Sequence, residues 1–172
     1  MGNCVVEVYT STSIIRGVIA HDPGHRLLDI LNHTGLETTG NKGNFLTVSD
    51  ATICTQDSKE RNIESILVNT ANIFFIKEIT DDTEKPFEKE SANKIYPYVS
   101  KERITIKFYM PSYSLTGKLH YSKRQDPMDV LNAAAGFFAL TDASITCSTC
   151  SDGSDADFLA VNRKQVLYIE RI

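Results

Sequence analysis

Four groupings of residues in this chain have types and spacings that could do chemistry. Asp29 with Asn32, and Asp129 with Asn132, sit three apart, so each pair shares one face of a helix. Each is either a paired polar site or a helix terminator, with Asp capping the first turn and Asn closing the helix in a left-handed conformation. Cys147-Ser148-Thr149-Cys150 is a CxxC, and Cys54 stands alone. A structural zinc site needs four ligands, and a redox CxxC needs a helix N-terminus to acidify its thiol. This one follows a predicted strand and precedes Ser151-Asp152-Gly153-Ser154, so no metal or cofactor is assigned. His21 and His25 have i,i+4 spacing, but Pro23-Gly24 between them breaks the shared helix face. Lys123-Arg124 and Arg163-Lys164 are two adjacent cation pairs, with Tyr121 able to stack on a base and Asn162 at a turn. These six residues are the candidate ligand site for an anion. No phosphate loop, His-Glu-x-x-His or Gly-x-Ser-x-Gly appears, and no spacing singles out a catalytic triad.

The elements that would position these groups come in two sets. Val68-Asn69-Thr70-Ala71-Asn72-Ile73 through Ile76 returns as Val161-Asn162-Arg163-Lys164-Gln165-Val166 through Ile169. Each stretch reads as a strand end, a polar turn opened by Asn, and an apolar closing strand. Val6–Tyr9 matches Ile106–Tyr109, and Ile15–Ile19 matches Leu115–Leu119, with Gly17 and Gly117 aligned. Asp29–Asn32 matches Asp129–Asn132, and Phe45–Ile53 matches Phe137–Ile145. The unchanged order argues for a tandem duplication. Within each copy the pattern is strand, strand, short helix, strand, strand, strand. A Gly inside a strand marks a bend, and Asp126-Pro127 is a helix start. Leu28, Leu31, Val48, Ile73 and Ile76 are expected in the core, with counterparts Val130, Leu131, Leu140, Val166 and Ile169.

At 172 residues and a net charge of −4, with no Trp, the composition is that of a globular chain and argues against a large phosphate footprint. The opening Met-Gly-Asn-Cys-Val-Val lacks the basic region and apolar core of a signal peptide, and no apolar run approaches the ~20 residues of a membrane helix. A cytoplasmic location and no membrane partner are expected. The domain reading is a first repeat at 4–79, a charged linker at 80–103 containing Pro86 and Pro97, and a second repeat at 104–172.

The spacing resembles that of Sm-like proteins, the small barrels that include the Hfq type. An apolar residue before Gly on a bent strand (Ile15-Arg16-Gly17) is followed by Asn44-Phe45-Leu46-Thr47-Val48-Ser49-Asp50, and the second signature is framed by Val68, Ile73 and Ile76. Asn69-Thr70 and Asn162-Arg163 stand where that family has Arg-Gly, and a helical segment replaces a short loop. The segment Arg26–Asn32 also looks like uncharacterised bacterial proteins carrying Arg-x-x-Asp-x-Leu-Asn, which implies no activity. The resemblance implies a mainly β fold with short helices: two tandem five-stranded Sm-like or SH3-like small barrels, each with a helix between strands two and three. It also implies assembly through strand edges, with the loops at Lys123-Arg124 and Arg163-Lys164 close together on a ligand face. The leading functional expectation is a non-enzymatic tandem-barrel module that binds a protein partner or further copies of itself. The alternatives are a weak RNA or nucleotide binder using the second repeat's basic loops, and a small enzyme with a site between the barrels.

Overall fold

The computed structural model describes residues 2–32, 44–55, 57–79, 101–133, 136–149 and 153–172. The first half runs β1 (Gly2–Thr10), β2 (Ser13–His21), α1 (Leu27–Asn32), β3 (Phe45–Thr55), β4 (Glu60–Asn69), a 3-10 turn (Thr70–Asn72) and β5 (Ile73–Glu78). The second runs β6 (Lys101–Tyr109), β7 (Tyr113–Ser122), α2 (Pro127–Ala133), β8 (Phe137–Cys147), β9 (Ser154–Asn162), a 3-10 turn (Arg163–Gln165) and β10 (Tyr168–Arg171). Among the described residues the protein is therefore mainly β with two short helices, in the repeated order that the sequence suggests. Most of the linker, 80–100, lies outside the described residues, and β6 begins at Lys101.

The local causes are legible. In β1, Cys4, Val6 and Val8 are buried while Asn3 and Glu7 face outward, the period of a strand with one covered face. Thr10 Oγ1 accepts the Ser13 amide at 3.2 Å and donates to the Ser13 carbonyl at 2.9 Å, closing the β1–β2 turn. At α2, Asp126 Oδ1 accepts the Met128 amide at 2.8 Å with Pro127 in the first helical position. At α1, Asp29 Oδ2 reaches back to the Arg26 amide at 3.0 Å. That satisfies an N-terminal N–H left without an intrahelical acceptor, so the capping role expected of Asp29 holds.

Gly17 and Gly117 occupy equivalent irregularities. The β2–β3 register shifts between Arg16 and Val18, and the β7–β8 register shifts between Thr116 and Lys118. Opposite them, Asp50 (φ 48°) and Asp142 (φ 47°) take left-handed backbone. One residue on the Gly strand thus faces two on its neighbour, a β-bulge that bends the strand carrying it. Gly is required by proximity: a Cβ on Gly17 would lie 2.6 Å from Val48 Cγ1 and 2.7 Å from the Ser49 carbonyl, and one on Gly117 would lie 2.7 Å from Leu140 Cγ.

The expectation of two closed barrels is corrected. Among the described residues ten strands form one open antiparallel sheet in the order β10-β6-β7-β8-β9-β5-β1-β2-β3-β4. The cause lies at β5. One edge of β5 pairs with β1, and the other pairs with β9 of the second half (Phe75↔Val161, Ile76↔Ala160, Lys77↔Leu159). The edge that would close a barrel within the first half is thereby taken by the second. The halves also exchange side chains. Phe137 and Ala160 pack in the first half's cluster with Val8, Leu31, Leu46 and Ile73, while Tyr9, Phe74 and Phe75 pack in the second half's cluster with Phe108 and Leu115.

Of the expected core, Leu31, Val48, Ile73, Ile76, Leu131 and Leu140 are buried. Leu28, Val130 and Val166 are only partly covered, and Leu27 joins Leu31 as a buried residue of α1. Ile169 is 39% exposed, and among the described residues β10 has no neighbour on its outer side.

Candidate functional site

The most elaborate polar constellation lies at the joint between the halves. Both turn asparagines use the side-chain Oδ1 to cap a 3-10 turn: Asn69 accepts the Ala71 amide at 3.0 Å, and Asn162 accepts the Lys164 amide at 3.1 Å. Asn162 is also 2% exposed, and its Nδ2 donates to the carbonyls of Ile73 (2.8 Å) and Thr70 (3.2 Å) across the joint. Asn32 makes a second clamp: its Nδ2 donates to the Phe137 carbonyl at 2.9 Å, and its Oδ1 accepts the Phe137 amide at 2.8 Å. Asn32 is the last residue of α1 but does not take the left-handed conformation that the sequence suggested; its amide extends the β8 backbone ladder instead. Gln165 Nε2 donates to the Ala71 carbonyl at 2.6 Å.

A cavity of about 210 Å³ opens beside these clamps, walled by Asn32, Asn44, Thr70, Phe137, Asn162 and Lys164. Its wall is built of amides, apolar carbons, the Thr70 hydroxyl and one ammonium group. The Asn32 and Asn162 amides are consumed by backbone partners, so each acts first as a fastener.

The six candidate ligand residues do not converge. Asn162 and Lys164 are at the joint. Arg163 Nη1 donates to the Asn132 carbonyl at 2.9 Å, at the C-terminal end of α2, where a cation meets unpaired helix carbonyls. Lys123 and Arg124 stand exposed on the turn that precedes α2, at the opposite end of that helix. Tyr121 lies across from Glu102 in the β6–β7 ladder, and the Glu102 carboxylate, by hydrogen bond and charge, raises the phenol pKa.

The remaining motifs resolve as follows. His25 lies in the turn closed by its amide on the Asp22 carbonyl at 3.2 Å, not on a helix face with His21. Cys147 is disulfide-bonded, and Cys150 falls outside the described residues. Cys4 is a buried free thiol whose pKa burial pushes up to about 12, with the nearby Glu78 carboxylate adding to the shift. Among the described residues no three His, Cys, Asp or Glu side chains come together as a metal site. Among those residues, too, no helix is long and apolar enough to cross a membrane.

Sequence reasoning expected assembly through strand edges but did not identify β4 and β10 as the outer strands. The outer strand β4 carries Leu67, 63% exposed, and Phe45 at the start of β3 is 45% exposed. At the other end, Leu167, Tyr168, Ile169 and Ile172 are 62%, 60%, 39% and 69% exposed along and beside β10. Among the described residues the large exposed hydrophobic side chains gather at the sheet's two ends. A groove of about 340 Å³ runs beside β10, walled by Phe108, Leu131, Phe138, Val166 and Ile169. The available signal was the apolar run Val166–Ile169, which reads equally as core until the sheet order is known. No protein-family model, curated protein or solved structure matches the chain.

Proposed function

We propose that this protein is a non-enzymatic assembly module whose working surfaces are the two outer edges of its sheet, β4 and β10, which have no strand beside them among the described residues. The observation that carries the reading is the collection of exposed Leu67, Leu167, Tyr168, Ile169 and Ile172 at these edges. Soluble proteins guard an open edge with charge, proline or a covering element, because unpaired backbone groups beside apolar side chains recruit another strand. Here Glu60, Arg61 and Glu64 guard the first part of β4, while Leu67 with Phe45 at one end and Leu167, Tyr168 and Ile169 at the other leave apolar side chains exposed. The joint cavity supports the same reading, since its conspicuous amides hold backbone together. Strand addition supplies affinity through main-chain hydrogen bonds and specificity through the side chains on either face.

The test is sedimentation velocity over a range of concentrations, with hydrogen exchange of the edge strands. Wild type is expected to form complexes larger than a monomer in which β4 and β10 amides are protected. Leu67→Lys with Ile169→Lys, both at exposed positions, is expected to return it to monomer. A wild-type monomer with fast-exchanging edges at every concentration overturns the proposal.

A second reading, a weak RNA or nucleotide binder, draws support from Lys164 on the cavity wall and from the cations around α2. Its affinity would fall steeply with salt. Fluorescence anisotropy with a short RNA at low salt, comparing wild type with Arg163→Ala plus Lys164→Ala, tests it, and no binding by wild type removes it.

A further inference from the structure

We infer that the partner at these edges is a second copy of this chain, its β4 docking on β10 in the register that β9 takes on β5. This rests on the assembly reading above and names the occupant, the register and the side chains that lock it.

The joint inside the chain is a worked instance of the contact. There β9 lies on β5, Phe137 is seated in the first half's core, Asn162 reaches the carbonyls of Thr70 and Ile73, and Asn32 clamps the Phe137 backbone. Each participant has a counterpart at a free edge. Phe45 faces Asn69 in the β3–β4 ladder as Phe137 faces Asn162 in the β8–β9 ladder, so β4 corresponds to β9 residue for residue. At the other edge, Tyr168 faces Tyr109 in the β10–β6 ladder as Phe75 faces Tyr9 in the β5–β1 ladder. Those two aromatic pairs stack alike, with ring centroids 4.5 Å apart at 22° for Tyr109–Tyr168 and 4.3 Å at 21° for Tyr9–Phe75. The outer edge of β10 is thus arranged as β5 is.

Burial separates the counterparts. Phe137, Ala160, Phe75 and Ile76 at the joint are 5%, 0%, 0% and 0% exposed. Phe45, Leu67, Tyr168 and Ile169 are 45%, 63%, 60% and 39% exposed. The receptor for Phe45 is also present. The groove beside β10 is walled by Phe108, Leu131, Phe138 and Val166, the counterparts of Val8, Leu31, Leu46 and Ile73, which pack in the cluster that takes Phe137.

The docked register follows. Ile169 faces Leu67 of the second copy, Tyr168 faces its Val68, and Glu170 faces its Ile66. Phe45 of the second copy fills the groove, and the exposed Asn132 amide clamps its backbone as Asn32 clamps Phe137. Asn69 of the second copy, through Nδ2, reaches the carbonyls of Arg163 and Val166. Pairing β4 with β4 would leave the groove empty and Phe45 without a seat. The contact joins two different surfaces, so it is head-to-tail and repeats until a ring closes or a filament grows.

The experiment mixes two variants, Leu67→Cys and Ile169→Cys, under mild oxidation, with cross-linked peptides identified by mass spectrometry. Wild type reports on the native cysteines, and Ser65→Cys, two residues out of register, replaces Leu67→Cys in a control mixture. The expected result is a disulfide between positions 67 and 169 in the mixture, above every control. Phe45→Ala is expected to weaken self-association by at least about 30-fold, as loss of a central aromatic anchor does. Cross-links of Leu67→Cys or Ile169→Cys with itself, or an oligomer that cross-links at neither position, overturn the inference while leaving assembly standing. A monomer by sedimentation overturns both.

Discussion

Asn162 and Asn69 hold the same place in their turns, yet replacing them should have unequal consequences. Asn162→Ala removes three hydrogen bonds at once: the turn cap on the Lys164 amide and the two Nδ2 donors across the joint. The Ile73 carbonyl is left buried without that donor, which costs about 1–3 kcal/mol, and the lost cap adds about 1 kcal/mol. The Thr70 carbonyl is only part-buried, so water replaces much of its loss. The expected total is about 3 kcal/mol, a fall in Tm of roughly 6–12 °C for a chain of this size. Asn69→Ala loses the cap on Ala71 and should cost about 1 kcal/mol. Asn162→Asp is the sharper probe. It keeps the Oδ1 acceptor but places a carboxylate oxygen against two carbonyls, so at neutral pH it should be less stable than Asn162→Ala. Urea denaturation and thermal melts of the three variants beside wild type read these differences. Equal small losses for Asn69→Ala and Asn162→Ala, or a harmless Asn162→Asp, would refute the reasoning that Asn162 fastens the halves together.

Three further outcomes follow from the geometry. Gly17→Ala should cost about 1–3 kcal/mol because its Cβ would meet the Ser49 carbonyl, which cannot rotate away, whereas Gly153→Ala, whose nearest contact is 3.4 Å, should stay within about 0.5 kcal/mol; thermal melts compare them. Cys4 should resist alkylation at pH 8 until the protein unfolds, since burial and Glu78 hold its thiol protonated, and mass spectrometry of iodoacetamide-treated native protein checks this. The Lys118 ammonium, 2.6 Å from Asp142, lowers that carboxyl's pKa, so the pair favours the folded state above the ordinary carboxylate range and loses that contribution as pH falls through the lowered value. The stability gap between wild type and Lys118→Gln should therefore narrow on acidification, and an NMR titration of Lys118→Gln should find Asp142 protonating at higher pH than in wild type.

By itself the sequence determined the local elements. Alternation marks β1, Asp126-Pro127 opens α2, and Asn69 and Asn162 each open a three-residue turn. Gly17 and Gly117 mark equivalent bends, and the repeated order of elements is written in matched segments. All of these depend on neighbours a few residues away, where periodicity, capping and steric freedom act directly on residue type. Tertiary structure alone decided which strand lies beside β5. Its neighbour could have been a strand of its own half, but β9 of the second half occupies that edge, turning two expected barrels into one open sheet. The same decision gave Asn32 the Phe137 backbone, 105 residues away, as its partner, and it buried Asn162 while leaving Asn69 at an outer strand. It also separated Ile76, fully buried, from its sequence counterpart Ile169, which is exposed. A strand's own residues specify the faces it presents but not the chain that covers its edge, because backbone hydrogen bonding is the same for every partner, and side-chain fit from distant segments makes the choice.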